Sequence, residues 1–166
     1  MIIDCIVMMG RNYHLDFFRL DDLQKVELMR RGVQDFSDIK GYRCVKILGQ
    51  HFRSGNWGKN RCGSVATTMV AGISRYCILD RFFTIQRQIF ALVTWLSVPT
   101  YPYAPNPLLV KVRFPPVDPT PQPSRILPVD RIIPTHVAVL PDDDGVNFWV
   151  MRGKGTDRTA FTQRTV

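Results

Sequence analysis

Between residues 115 and 124 the chain reads PPVDPTPQPS, in which half the residues are proline. Proline has no amide hydrogen to give a sheet ladder, and inside a helix its ring clashes with the preceding turn. No regular element can run through such a stretch, so the chain on either side must fold around a stiff, extended segment. A linker over 115–125, and a domain boundary with it, is the expectation.

On the N-terminal side of this segment four stretches read as strands: GSVATTMVA, SRYCILD, FALVTWLSV and PLLVKVRF. They are short, rich in β-branched and aromatic residues, and separated by Gly or Pro. Four strands at this spacing suggest a small barrel or sandwich over residues 51–114. On the C-terminal side, within 126–166, IIPTHVAVL and VNFWVM read as two strands joined by PDDDG, an acidic hairpin turn carrying Gly145. Residues 1–50 look like an appendage holding one short helix. There LDDLQKVELMRRG offers Asp21 as N-cap and Gln24 three residues on as the partner of a capping box. Leu20, Leu23, Val26, Met29 and Val33 recur about every three residues, and Arg30 and Arg31 precede Gly32. A packing or docking element is the reading of that helix. The fold class expected is mainly β.

At 166 residues, 45% of them apolar, the chain has room for one ordinary domain or two small ones. Lys and Arg number 22 against 14 acids, a net charge of +8 with Arg outnumbering Lys. That surplus favours a polyanionic partner, either nucleic acid or an anionic membrane surface. The longest apolar run, IFALVTWLSV, has about half the length a bilayer requires. The opening MIIDCIVMMG carries Asp4 and lacks the basic head of a secretion signal. We expect a soluble protein without a membrane span or import signal.

The four cysteines, at 5, 44, 62 and 77, form no Cys-x-x-Cys pair, and the histidines at 14, 51 and 136 are scattered. Zinc sites announce themselves by close ligand pairs, so neither a metal nor any other cofactor is expected, and the thiols read as free in a reducing compartment. GKNRCGSV (58–65) has the glycine gap of a phosphate loop, but Ser64-Val65 stand where Lys-Ser is needed, and a strand follows rather than a helix. Cys62, Cys77 and His136 are the raw material for a nucleophile and base, yet nothing in their spacing orients the base. Asp142, Asp143 and Asp144 are consecutive, which suits a solvated turn better than an ion site. No catalytic residue is assigned.

Basic residues carry more. Arg53, Lys59, Asn60, Arg61, Arg75 and Arg81 fall close together in the chain, interleaved with Trp57, Tyr76 and Phe82. Lys111 and Arg113 alternate along a strand and so share a face. Arg152, Lys154, Arg158 and Arg164 mark a basic C-terminal stretch, RGKGTDRTAFTQRTV. Arginine forks match phosphate geometry, and rings can stack on bases or fill a core.

Order and spacing add a resemblance. SGNWGKNRCGSVATTMVAGISRYCILDRF (54–82) resembles the opening of the universal large-subunit ribosomal protein L-two family, through Ser54, Gly55, Gly58, Lys59, Asn60, Gly63, Val65, Thr67, Gly72, Arg75, Tyr76, Ile78 and Asp80. YAPNPLLVKVRF (103–114) is similar to a second block of that family through Tyr103, Pro105 and Asn106. LPVDRIIPTHVAVL (127–140) is similar to a third, and MRGKGTDRTAFTQRT to a fourth. An alternative alignment of SRILPVD to an earlier strand of the family shifts the domain boundary.

The resemblance implies an OB-type barrel over 51–114 and the start of an SH3-like barrel over 126–166, both on large-subunit ribosomal RNA near the peptidyl-transferase region. It implies that the 58–65 loop lies against phosphates; with the basic residues counted alongside it, RNA contacts are expected from Arg53, Lys59, Asn60, Arg61, Arg75, Arg81, Asn106, Lys111, Arg113, Arg152, Lys154, Arg158 and Arg164. Thr68 and Met69 stand where the family has Arg-His, and Ala71-Gly72-Ile73 replaces a triple glycine, which reduces RNA contact there. The sequence stops shortly after Lys154, before the family's His-Pro-His-Gly-Gly-Gly loop. The expectation is a split, organelle-encoded mitochondrial ribosomal protein, non-catalytic, completed by a second fragment and by neighbouring ribosomal proteins. The rivals are a stand-alone OB module for single strands, a thiol enzyme using Cys62 or Cys77, and a membrane-surface protein.

Overall fold

The computed structural model describes residues 6–9, 13–14, 20–55, 64–102, 109–117, 121–135 and 137–152. Within them the chain is mainly β, in three antiparallel sheets. The largest is built on β7 (Ile73–Ile85). Its first half pairs with β6 (Val65–Val70), its second half with β3 (Lys40–Tyr42), and most of its length with β8 (Gln88–Trp95). Two short strands extend this sheet: β10 (Ile126–Pro128) on β8, and β2 (Tyr13–His14) on β3. A second sheet orders β1 (Ile6–Met9), β4 (Cys44–Ile47) and β5 (Gln50–Arg53), and a third orders β11 (Val137–Pro141), β12 (Asn147–Arg152) and β9 (Leu109–Arg113).

The sequence of β7 shows little alternation because both its faces are buried. Cys77 and Leu79 join Val45, Phe52, Val93 and Trp95 in one core, while Tyr76 and Ile78 join Val110, Val137 and Val150 in another. Its register with β8 shifts between Leu79 and Arg81, leaving Asp80 as the extra residue of a bulge. One extra residue exchanges the faces of a strand. Phe82 therefore returns to the core of Cys77 and Leu79, and Phe83 and Ile85 meet Leu28, Ile39 and Phe90 in a third.

The helix forms where the sequence places it. α1 (Asp22–Arg30) has Asp21 as N-cap, accepting from the Gln24 amide at 2.7 Å, while the Asp21 amide donates to Gln24 Oε1 at 3.1 Å. Its orientation departs from the expectation. Gln24 and Leu28 are buried, whereas Leu23, Val26 and Met29 face outward, Leu23 with 82% of its surface exposed.

Residues 1–50 are also more than an appendage with one helix. They supply β1 to β4, and Val45, Ile47 and Ile39 are core residues. The physical reason is that β3 completes the hydrogen bonding of β7, and β4 covers its apolar face. Pairing likewise crosses the expected boundary at 115–125. β9, before it, pairs with β12, after it, and β10 pairs back onto β8. Residues 121–125 lie against the sheet: Trp95 Nε1 donates to the Ser124 carbonyl at 3.0 Å, and the Val93 amide to the Arg125 carbonyl at 2.8 Å. The prolines need no ladder bonds, but the strand edges they connect do. Among the described residues no sheet closes into a barrel.

Candidate nucleic-acid interface

The β4–β5 hairpin turns through Leu48 and Gly49, both at positive φ (47° and 82°), the backbone of a two-residue type I′ turn. Its register sets Val45 opposite Phe52, both buried against the core. The alternate positions face away from it: Lys46 opposite His51, and Cys44 opposite Arg53. His51 and Arg53 are exposed, Lys46 and Cys44 half-buried. Burial pushes the Cys44 thiol up, against the opposing pull of the nearby Arg53 cation. Arg43 precedes β4, exposed, and its carbonyl takes both the amide and the hydroxyl of Ser54, at 2.8 and 3.1 Å. Arg43, Lys46 and Arg53 make no ion pair with an acid among the described residues.

Beside Arg53 the chain leaves and re-enters the described region. The Arg53 amide donates to Ser64 Oγ at 2.9 Å and the Ser64 amide to the Arg53 carbonyl at 2.8 Å. The Gly55 amide donates to the Leu79 carbonyl at 3.1 Å, and the Leu79 amide to the Ser64 carbonyl at 3.0 Å. Residues 53–55 and 64 are thereby tied to β7. Lys59, Asn60 and Arg61, between them, lie outside the described residues, as do Asn106, Lys154, Arg158 and Arg164, together with Cys62, His136 and the side chain of Arg152.

The remaining expected contacts divide by environment. Arg75 is buried: it is only 7% exposed, with Nη2 donating to the Leu96 carbonyl at 3.1 Å and to Gln122 Oε1 at 3.0 Å, and its guanidinium 5.7 Å from the Trp95 ring centroid. A strand residue covered by 121–125 on top of the sheet is turned to internal carbonyls instead of phosphates. Lys111 and Arg113 do share a face of β9, opposite Trp149 and Asn147 of β12. Lys111 is already engaged, its Nζ 3.3 Å from Asp142 Oδ2 and 5.2 Å from the Trp149 ring centroid, whereas Arg113 is exposed. Arg81, half-buried, stands next to Asp80. Burial raises the Asp80 carboxyl above its usual range, opposed by the Thr94 hydroxyl that donates to it, by Arg125 at 3.2 Å and by the charge of Arg81.

For other chemistries the described residues offer little. The Cys77 thiol is fully buried, and that burial drives its pKa far up, the reverse of an activated nucleophile. No group of three or more His, Cys, Asp or Glu is set to hold a metal among the described residues. None of their helices is long and apolar enough to cross a membrane.

Arg43, Lys46 and His51 were not among the expected contacts. A signal for them exists in the sequence. From Lys40 to Leu79 there is no Asp or Glu, while Lys40, Arg43, Lys46, Arg53, Lys59, Arg61 and Arg75 fall inside that stretch. Strand patterning alone assigns the first part of it to packing. No family model matches this chain, and no curated protein or solved structure matches it.

Proposed function

We propose that this chain is a non-catalytic, RNA-binding constituent of a large ribosomal subunit, of mitochondrial type. One observation carries the polyanion-binding part of this reading: within the acid-free stretch 40–79, Lys46 and Arg53 stand on the outward face of the paired strands β4 and β5, Arg53 exposed and Lys46 half-exposed, with Lys40 and Arg43 exposed just before them in the chain. Cations gathered on one side of a fold, without acids between them, produce a field that a phosphodiester backbone satisfies. The ribosomal part rests on the four blocks in family order over 54–166. Under it, β6 to β8 correspond to the OB-type unit and β11–β12 to the opening of the SH3-like unit. Neutralising phosphate charge lets RNA helices pack, and the RNA performs any chemistry.

Sedimentation of native organelle lysate at moderate salt, with this chain detected along the gradient, tests the proposal. The chain should travel with the large subunit and leave it on ribonuclease treatment or at high salt. A chain that stays at the top of the gradient as a small folded species refutes the ribosomal assignment.

A further inference from the structure

We infer that the outward face of the β4–β5 hairpin docks on the backbone of a base-paired RNA helix, with Lys46 and Arg53 on phosphates and Leu48 against the ribose edge. This rests on the polyanion reading above and goes beyond it in naming the surface and the kind of RNA. The surface ends at Arg53, ahead of the blocks that resemble a known family.

Spacing is the first argument. His51 and Arg53 are two residues apart on β5, about 7 Å, and Lys46 faces His51 from β4 across about 5 Å. The cations thus occupy a patch on the order of 10 Å wide, enough to meet neighbouring phosphates along one strand of a duplex. The second argument concerns rings. A surface that reads unpaired nucleotides presents aromatic faces on which successive bases stack. Here Phe52, the ring of this hairpin, points into the core, and Tyr76, Phe82, Phe83 and Phe90 of the adjoining sheet are buried too. His51 is the one ring among the outward positions of β4 and β5, too few to stack a run of bases.

Leu48 supplies the third. It sits at the tip with 55% of its surface exposed and φ at 47°, a position that Asn or Gly fills at lower cost. Neither packing nor turn chemistry accounts for a leucine there, and local rules are broken most often where function requires it. An apolar tip at the end of the hairpin that carries Lys46 suits the wide, shallow minor groove of an RNA duplex, where a leucine can rest on ribose carbons between the 2′-hydroxyls while the cation meets phosphate.

The test measures binding of the full chain to a short RNA duplex, to an unpaired RNA of equal length, and to vesicles of phosphatidylserine and phosphatidylcholine, across a salt series. The duplex should bind more tightly than the unpaired RNA. Lys46→Gln with Arg53→Gln should reduce duplex affinity by roughly tenfold and flatten the slope of log K against log salt by about two. Leu48→Asn should weaken duplex binding several-fold while the thermal midpoint holds or rises, since Asn suits the turn; loss of affinity therefore cannot be put down to misfolding. Tighter binding to the unpaired RNA, preference for the vesicles, or RNA binding unchanged by these substitutions overturns the inference while leaving polyanion binding intact. Failure of the unaltered chain to bind any RNA overturns the proposed function itself.

Discussion

Asp144 shows how much one exposed side chain can organise. Its carboxylate accepts from the amides of Val146 and Asn147, at 2.9 and 2.8 Å, and from the Asn147 side chain. The Asn147 amide contributes most to holding the carboxyl down to about 2, with the Asn147 side chain and the Val146 amide adding to it. In the unfolded chain those donors are gone and the carboxyl titrates near its ordinary value of 3.8. A carboxyl depressed in the folded state stabilises it above the unfolded pKa, and that contribution is lost as pH falls through the folded one. Asp144→Ala should therefore melt below the parent chain at neutral pH, with the gap closing between pH 3.8 and about 2. Thermal melts of both chains over that range decide it, and a gap independent of pH would rule out the ionised carboxylate. Asp80 has the opposite disposition, since burial raises it, and its ionisation is tolerated because Thr94 and Arg125 answer it. Arg75 makes the same point for cations. Residue type announced a phosphate ligand, but 121–125 and the Trp95 ring enclose it.

At the scale of elements, α1 is the clearest case of local rules fixing an end but not a face. The capping box stabilises the first turn wherever the helix lies, and Asp21→Ala should cost about 1 kcal/mol. The stripe of Leu20, Leu23, Val26, Met29 and Val33 misled because steps of three drift around a helix, and Leu20 and Val33 lie outside α1. The buried side is instead Gln24 and Leu28, packed where Phe83, Ile85 and Phe90 end the long β hairpin. Leu28→Ala should accordingly destabilise by about 2–4 kcal/mol, while Leu23→Gln and Met29→Gln should each stay within about 0.5 kcal/mol. Denaturant titration of the four variants separates the two faces, and a large effect at Leu23 would contradict the orientation. The turns repeat the lesson. Leu48-Gly49, Ala71-Gly72 and Gln86-Arg87 all hold positive φ at both positions, yet none is the Asn-Gly or Asp-Gly pair that marks such a turn. The Asp-rich turn before β12 was legible because Asp144 builds its own hydrogen bonds.

Across the whole molecule, the proline-rich segment joins parts that depend on each other. β9 finds its partner in β12, well beyond the prolines, with Arg113 opposite Asn147, and β10 caps the edge of β8. A chain ending at residue 114 should lose its cooperative thermal transition, because β9 would be unpaired and Val110 and Val112 stripped of Val137, Phe148 and Val150. Circular dichroism melts test this, and an intact cooperative transition would restore an independent first domain. By itself the sequence determined the strands β6, β8, β9, β11 and β12, the start of α1, the acidic hairpin and the surplus of positive charge. All of these follow from sterics, periodicity and hydrogen bonds between near neighbours in the chain. Only the tertiary structure decided which strands pair, which helix face is buried, and which cations stay in solvent. Backbone ladders accept any strand, and whether Arg75 or Arg53 meets water depends on segments distant in the chain, such as the one that brings Gln122 onto Arg75. The surface with Lys46 and Arg53 follows only from the pairing of β4 with β5, which turns their apolar side to the core.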